Sequence, residues 1–171
     1  QKVDWRGIAE IGPSGPVNVL VWPSGGTCRL TRNVEARSDV TFGVIGQKVM
    51  VVGGRVAGQV PHTFVGDLST GIVESLAFGL GARRSRATVT PLRSQSGEEP
   101  ARALVAGGED PDTQAALGTA EIYVPQPGVP GALGDFTGER IELSEPRTRH
   151  AATVLATGET LLVGGTGQGG S

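Results

Sequence analysis

Three times the chain repeats one pattern: an arginine, a short β-like run, then a hydrophobic run closed by two glycines. The copies are Arg37-Ser38-Asp39-Val40-Thr41-Phe42 leading to Val51-Val52-Gly53-Gly54, Arg83-Arg84-Ser85-Arg86-Ala87-Thr88 leading to Val105-Ala106-Gly107-Gly108, and Arg147-Thr148-Arg149-His150-Ala151-Ala152-Thr153-Val154-Leu155 leading to Leu161-Leu162-Val163-Gly164-Gly165. Such self-similarity sets the architecture, because one unit cannot bury its apolar face alone and must stack on its neighbours. The arginines are 46 and 64 residues apart, and the second glycines 54 and 57. A period of about 50 residues with Val-rich hairpins departs from the helical repeats, which run shorter. Arginine to first glycine takes 16, 24 and 17 residues in the three copies, so the second carries an insertion around Arg93-Ser94-Gln95-Ser96-Gly97-Glu98-Glu99-Pro100. Loop tips absorb insertions of that size at little entropic cost.

Each element of the pattern has a physical reason. The apolar runs at 49–52, 103–105 and 161–163 fit inner strands covered on both faces. Paired glycines permit backbone angles and close approaches that a β-carbon would forbid. Gly46, Gly97 and Gly158 fit hairpin turns, and Ala156-Thr157-Gly158-Glu159 is a turn between two β-like runs. With 28 glycines and 11 prolines the chain is turn-rich, and it has no apolar stretch long enough for a membrane helix. Fifteen basic and seventeen acidic side chains leave a net charge of −2, which offers no general attraction for nucleic acid. The single cysteine, Cys28, cannot form an internal disulfide.

From 147 to 165 the chain resembles the bacterial kelch and galactose-oxidase-like propeller repeat. Thr119-Ala120-Glu121-Ile122-Tyr123-Val124-Pro125 resembles that family's third strand, and Gly134-Asp135-Phe136-Thr137 the start of its fourth. With its weaker copies the resemblance spans roughly residues 17 to 171; in these copies Val40 and Arg86 stand where His150 stands, and Gly66 where Pro125 stands. It implies an all-β fold, a partial kelch-type β-propeller of four-stranded antiparallel blades, with about two full blades and two partial ones. On this reading 1–36 hold the outer half of a preceding blade, 37–82 a kelch-like blade, 83–146 a blade with insertions and 147–171 the first half of a further blade. Within 1–36, Val17-Asn18-Val19-Leu20-Val21-Trp22-Pro23 aligns with the third strand and Thr27-Cys28-Arg29-Leu30 with the fourth, leaving 1–16 unassigned. The structural repeat positions are Arg37, Arg83 and Arg147, the glycines Gly53, Gly54, Gly107, Gly108, Gly164 and Gly165, and Tyr123, which with Phe136 supplies bulk between blades. Propellers close with about four to eight blades. The expectation is therefore a piece of a longer protein, with a module that closes its ring by oligomerising as the alternative, and missing blades or self-association either way. The strand at 161–163 is expected to be a sheet edge.

Several features invite a chemical reading. Arg83, Arg84 and Arg86 form a positive run able to meet a carboxylate or sulfate, although the family position of Arg83 suits a structural arginine that holds loop backbone or a neighbouring acid. Arg83, Arg86 and His150 are the candidate ligand-binding residues. Glu109-Asp110-Pro111-Asp112 gathers carboxylates of the kind hard cations take, but without EF-hand spacing, and a solvated turn is preferred. Gly165-Thr166-Gly167-Gln168-Gly169-Gly170 satisfies G-x-G-x-x-G but lacks the helix and distant acid of a dinucleotide site, so a loop after the diglycine explains it better. The resemblance to galactose oxidase raises a copper site built from two tyrosines, two histidines and a tyrosine-bonded cysteine. Against this set the chain offers Tyr123, His62, His150 and Cys28, one tyrosine short. Tyr123 falls at an outer-strand packing position, and His150 at a blade start. No catalytic residue, metal or other cofactor is assigned, and no Gly-x-Ser-x-Gly elbow or His-Glu-x-x-His motif suggests another chemistry.

Two function classes follow. The preferred one is a non-enzymatic segment that binds a protein or a carbohydrate through loops at one end of the blades. The alternative is part of a galactose-oxidase-like or other sugar-converting propeller enzyme whose active-site residues lie outside this chain. The resemblance points to secreted, cell-surface or periplasmic proteins of bacteria.

Overall fold

The computed structural model describes residues 38–55, 63–67, 73–76, 80–93, 102–125 and 133–167 in full, and residues 5–10, 18–23 and 28–29 as backbone strands. Among these residues every regular element is a β-strand. The first pattern copy folds as the hairpin β4 (Thr41–Ile45) and β5 (Lys48–Val52), turned at Gly46 with φ 58°. Two further strands, β6 (Phe64–Asp67) and β7 (Val73–Ser75), complete an antiparallel sheet in sequential order. The second copy does the same with β8 (Thr88–Leu92), β9 (Arg102–Ala106), β10 (Thr119–Val124) and β11 (Asp135–Glu142). The third is a two-stranded hairpin, β12 (Ala151–Val154) and β13 (Thr160–Val163), whose turn is closed by Leu155 N donating to Glu159 O at 2.8 Å. Residues ahead of the first copy form a separate antiparallel sheet, β1 (Trp5–Glu10), β2 (Asn18–Pro23) and β3 (Cys28–Arg29), so that the unassigned opening stretch carries a strand.

Burial explains the apolar runs of the first two copies, whereas the run at 161–163 is not covered on both faces, since Leu161 and Val163 are exposed. From Val49 onward β5 is buried at every residue, and Met50, Val52, Val65, Val105 and Tyr123 join one core that spans the first two sheets. Each such side chain contributes roughly 1.5–3 kcal/mol on leaving water. Tyr123 packs edge-on to Phe136, with ring centroids 6.1 Å apart at 71°, and its hydroxyl donates to Leu133 O. Both side chains thus pack on each other within one sheet and belong to the core.

Corresponding contacts define how the units superpose. Just ahead of the inner strand, Ser38 bridges Arg55, Ser85 bridges Glu109 and Thr148 bridges Thr166. The next residue, Asp39, Arg86 or Arg149, is left-handed each time, with φ 55°, 54° and 58°. Arg84 and Arg147 each donate Nη1 to the carbonyl of their own unit's first glycine, Gly107 and Gly164. These contacts correct the expected register by one residue: Arg84, not Arg83, corresponds to Arg147, and Ala87, not Arg86, to His150. Strand pairing corrects a second position, since Gly66 faces Val49 as Tyr123 faces Ala103. Gly66 thus takes the place of Tyr123, not that of Pro125. Arg37 and Gly97 lie outside the described residues.

Candidate functional site

The units stack with β8 packed against β4 on one side and β12 on the other. At the first boundary Gly54 N donates to Arg84 O at 3.0 Å and Arg86 N to Asp39 O at 3.1 Å. At the second, Gly108 N donates to Arg147 O at 2.9 Å and Arg149 N to Arg86 O at 3.4 Å. The inner strands consequently begin side by side, and their first residues converge at one end of the stack.

Side chains from all three units meet there. Glu109, whose side chain is buried, accepts Arg55 Nη2 at 2.6 Å and Arg86 Nη1 at 3.0 Å on Oε1, and Thr148 Oγ1 at 3.2 Å on Oε2. Asp39 takes Arg86 Nε at 3.1 Å and faces Arg55 Nε at 3.3 Å. A carboxylate buried beside two guanidiniums and a hydroxyl has its lone pairs well used, so this group acts as a clamp between units. Beside it opens a shallow cavity of about 380 Å³ lined by Val40, Thr41, Phe42, Arg86, Ala87, Arg149 and His150. Arg149 is exposed there and forms no ion pair among the described residues.

Of the three candidate ligand residues, the structure brings Arg86 and His150 together at this cavity. Arg83 does not line it and pairs instead with Asp112 on an exposed loop. The structural role foreseen for Arg83 belongs to Arg84. Its fully buried guanidinium donates to Gly107 O and Thr119 O at 2.9 Å each and to Glu121 Oε1 at 2.6 Å, while Glu121 Oε2 accepts Gly81 N at 2.7 Å. Burial lowers the Arg84 pKa from its ordinary value, and the Glu121 carboxylate opposes that shift. The carboxylates of 109–112 have separate partners. Asp110 Oδ1 accepts Thr113 N, Asp112 N and Thr113 Oγ1, which hold its pKa below the ordinary carboxylate range. His62, the Cys28 side chain and 168–170 lie outside the described residues.

His150 is buried, with Nε2 3.0 Å from Thr88 Oγ1 and its ring against Gly107. Burial lowers its pKa, with Arg147 adding to the effect. A depressed histidine pKa means that the unfolded chain binds more protons, so stability rises with pH across this interval. The contribution is complete above the unfolded value near 6.5 and is lost as pH falls below it toward the folded value. Urea melts between pH 8 and 5 are expected to show a stability loss on acidification that is smaller in His150→Gln; equal slopes would refute the assignment.

The clamp was not foreseen as a unit, although its signal is present: the residue directly after each diglycine changes from Arg55 to Glu109 to Thr166. No helix among the described residues is long and apolar enough to cross a membrane. No protein-family model and no curated protein matches the chain.

Proposed function

We propose that this chain is a kelch-type propeller segment that serves as a binding scaffold for a protein or a glycan, engaged at the end of the stack where the inner strands begin. The observation that carries the reading is the recurrence of one backbone contact, diglycine N–H to arginine carbonyl, at two successive boundaries. Recurring contacts of this kind produce a rigid stack of near-identical units, and rigid scaffolds present variable residues at one end for recognition. The cavity with Phe42, Arg86, Arg149 and His150 supplies an aromatic edge and the exposed guanidinium of Arg149, suited to a carboxylate- or sulfate-bearing partner. Arrays of neutral and acidic glycans and of acidic peptides test this. Acidic ligands should be retained, and Arg149→Ala should weaken retention about tenfold at low salt, as expected for a charge-assisted contact. Retention unaffected by that variant, or confined to neutral ligands, would remove the cavity from the reading.

A further inference from the structure

The exposed face of the third unit has the same repeat positions that are covered in the first. Val163 pairs with Ala151 as Val52 pairs with Thr41, and Leu161 pairs with Thr153 as Met50 pairs with Gly43. Met50 and Val52 are 0% and 1% exposed beneath the second unit, whereas Leu161 and Val163 are 43% and 54% exposed. The diglycines show the same contrast. A β-carbon on Gly53 would lie 1.8 Å from Arg84 O and one on Gly107 2.5 Å from Arg147 O, but one on Gly164 would meet nothing within 4 Å. The third unit thus presents a surface shaped like the boundary that the first two fill.

The opposite end of the stack has the matching half. Phe42 and Val44 on β4 are each 53% exposed. Phe42 corresponds in register to Val89, which crosses the first boundary to lie over Gly43. Charge agrees with this match. At the first boundary Asp39 meets Arg86, but at the second the corresponding residues are Arg86 and Arg149, two cations, so that Arg149 has no acid partner among the described residues. A further unit beginning with Asp39 would supply one.

Resting on the stacked-repeat reading above, we infer that a second copy of this chain docks head to tail, its Phe42 and Val44 face covering Leu161 and Val163 of the first. Asp39 of the second copy then faces Arg149 of the first. An interface of this type is heterologous and adds copies head to tail, into a ring where the rotation closes and into an open filament where it does not.

Sedimentation of the 171-residue chain tests the docking. The weight-average mass should rise with concentration to at least about twice that of one chain. Val163→Asp and Phe42→Asp, both at exposed sites, should each remain monomeric. An equimolar mixture of the two should form a one-to-one dimer that grows no further, because each variant keeps one intact end. A monomeric wild type, a variant that still associates alone, or a mixture that stays monomeric would each overturn the proposal. Amide exchange at Gly54 and Gly108, measured in all three proteins, separates the two levels. Slow exchange in a monomeric wild type refutes the docking and leaves the stack intact, whereas fast exchange at both amides refutes stacking and docking together.

Discussion

Arg84→Ala is expected to lower stability by about 3–5 kcal/mol, the usual result of removing one partner from a buried ion pair. The substitution leaves Glu121 charged in a dry site and withdraws donors from the Gly107 and Thr119 carbonyls, which have few alternatives at that depth. Arg84→Met combined with Glu121→Leu removes both charges and fills similar volume, so the part of the loss due to the stranded carboxylate should be recovered, while the Gly107 and Thr119 carbonyls and the Gly81 amide still lack their partners. Arg83→Ala should cost no more than about 1 kcal/mol, because its pair with Asp112 is solvent-exposed. Urea denaturation of the four proteins provides the comparison. If Arg83 proves the costlier single substitution, the one-residue register correction is wrong.

Gly53→Ala and Gly164→Ala should differ sharply although the two glycines occupy the same place in the repeat. Both have positive φ, 60° and 67°, so alanine adds a backbone cost of about 1–2 kcal/mol at either site. At Gly53 the new methyl also collides with the Arg84 carbonyl and must push the second unit away, adding about 1–3 kcal/mol of overpacking. At Gly164 there is nothing to strike. Thermal melts should show the Gly53 variant clearly below the Gly164 variant; equal midpoints would mean that the first boundary yields without cost.

The strands were legible wherever local chemistry decides them. Hairpin turns at Gly46 and Gly158, the buried run at 49–52, and the third and fourth strands around Tyr123 and Phe136 all follow from patterns a few residues long. Register at the second copy was not legible in the same way. Arg83-Arg84-Ser85-Arg86 offers three arginines within four residues, and only the left-handed turn at Arg86 and the bridge from Ser85 to Glu109 select among them. Glu121, the partner that gives Arg84 its role, is 37 residues away. The clamp is harder still. Glu109 draws on Arg55, 54 residues before it, and on Thr148, 39 residues after it, so neither distance appears in a local window. Repeat spacing places such residues near one another, but charge complementarity becomes visible only once the units are stacked.

The clamp also determines which rearrangements of this gene segment could survive. Its units share a backbone but differ in the sign of their charges: Asp39 with Arg55 in the first, Arg86 with Glu109 in the second, Arg149 with Thr166 in the third. A tandem duplication of the second unit would set Arg86 against a second Arg86, and Glu109 against a second Glu109, at a boundary now joined by attraction. The order of the units is thus written into four charged side chains. Copying the first two units as a pair would instead set Arg86 against Asp39 and Glu109 against Arg55, so such a chain keeps its charges matched when it lengthens two units at a time.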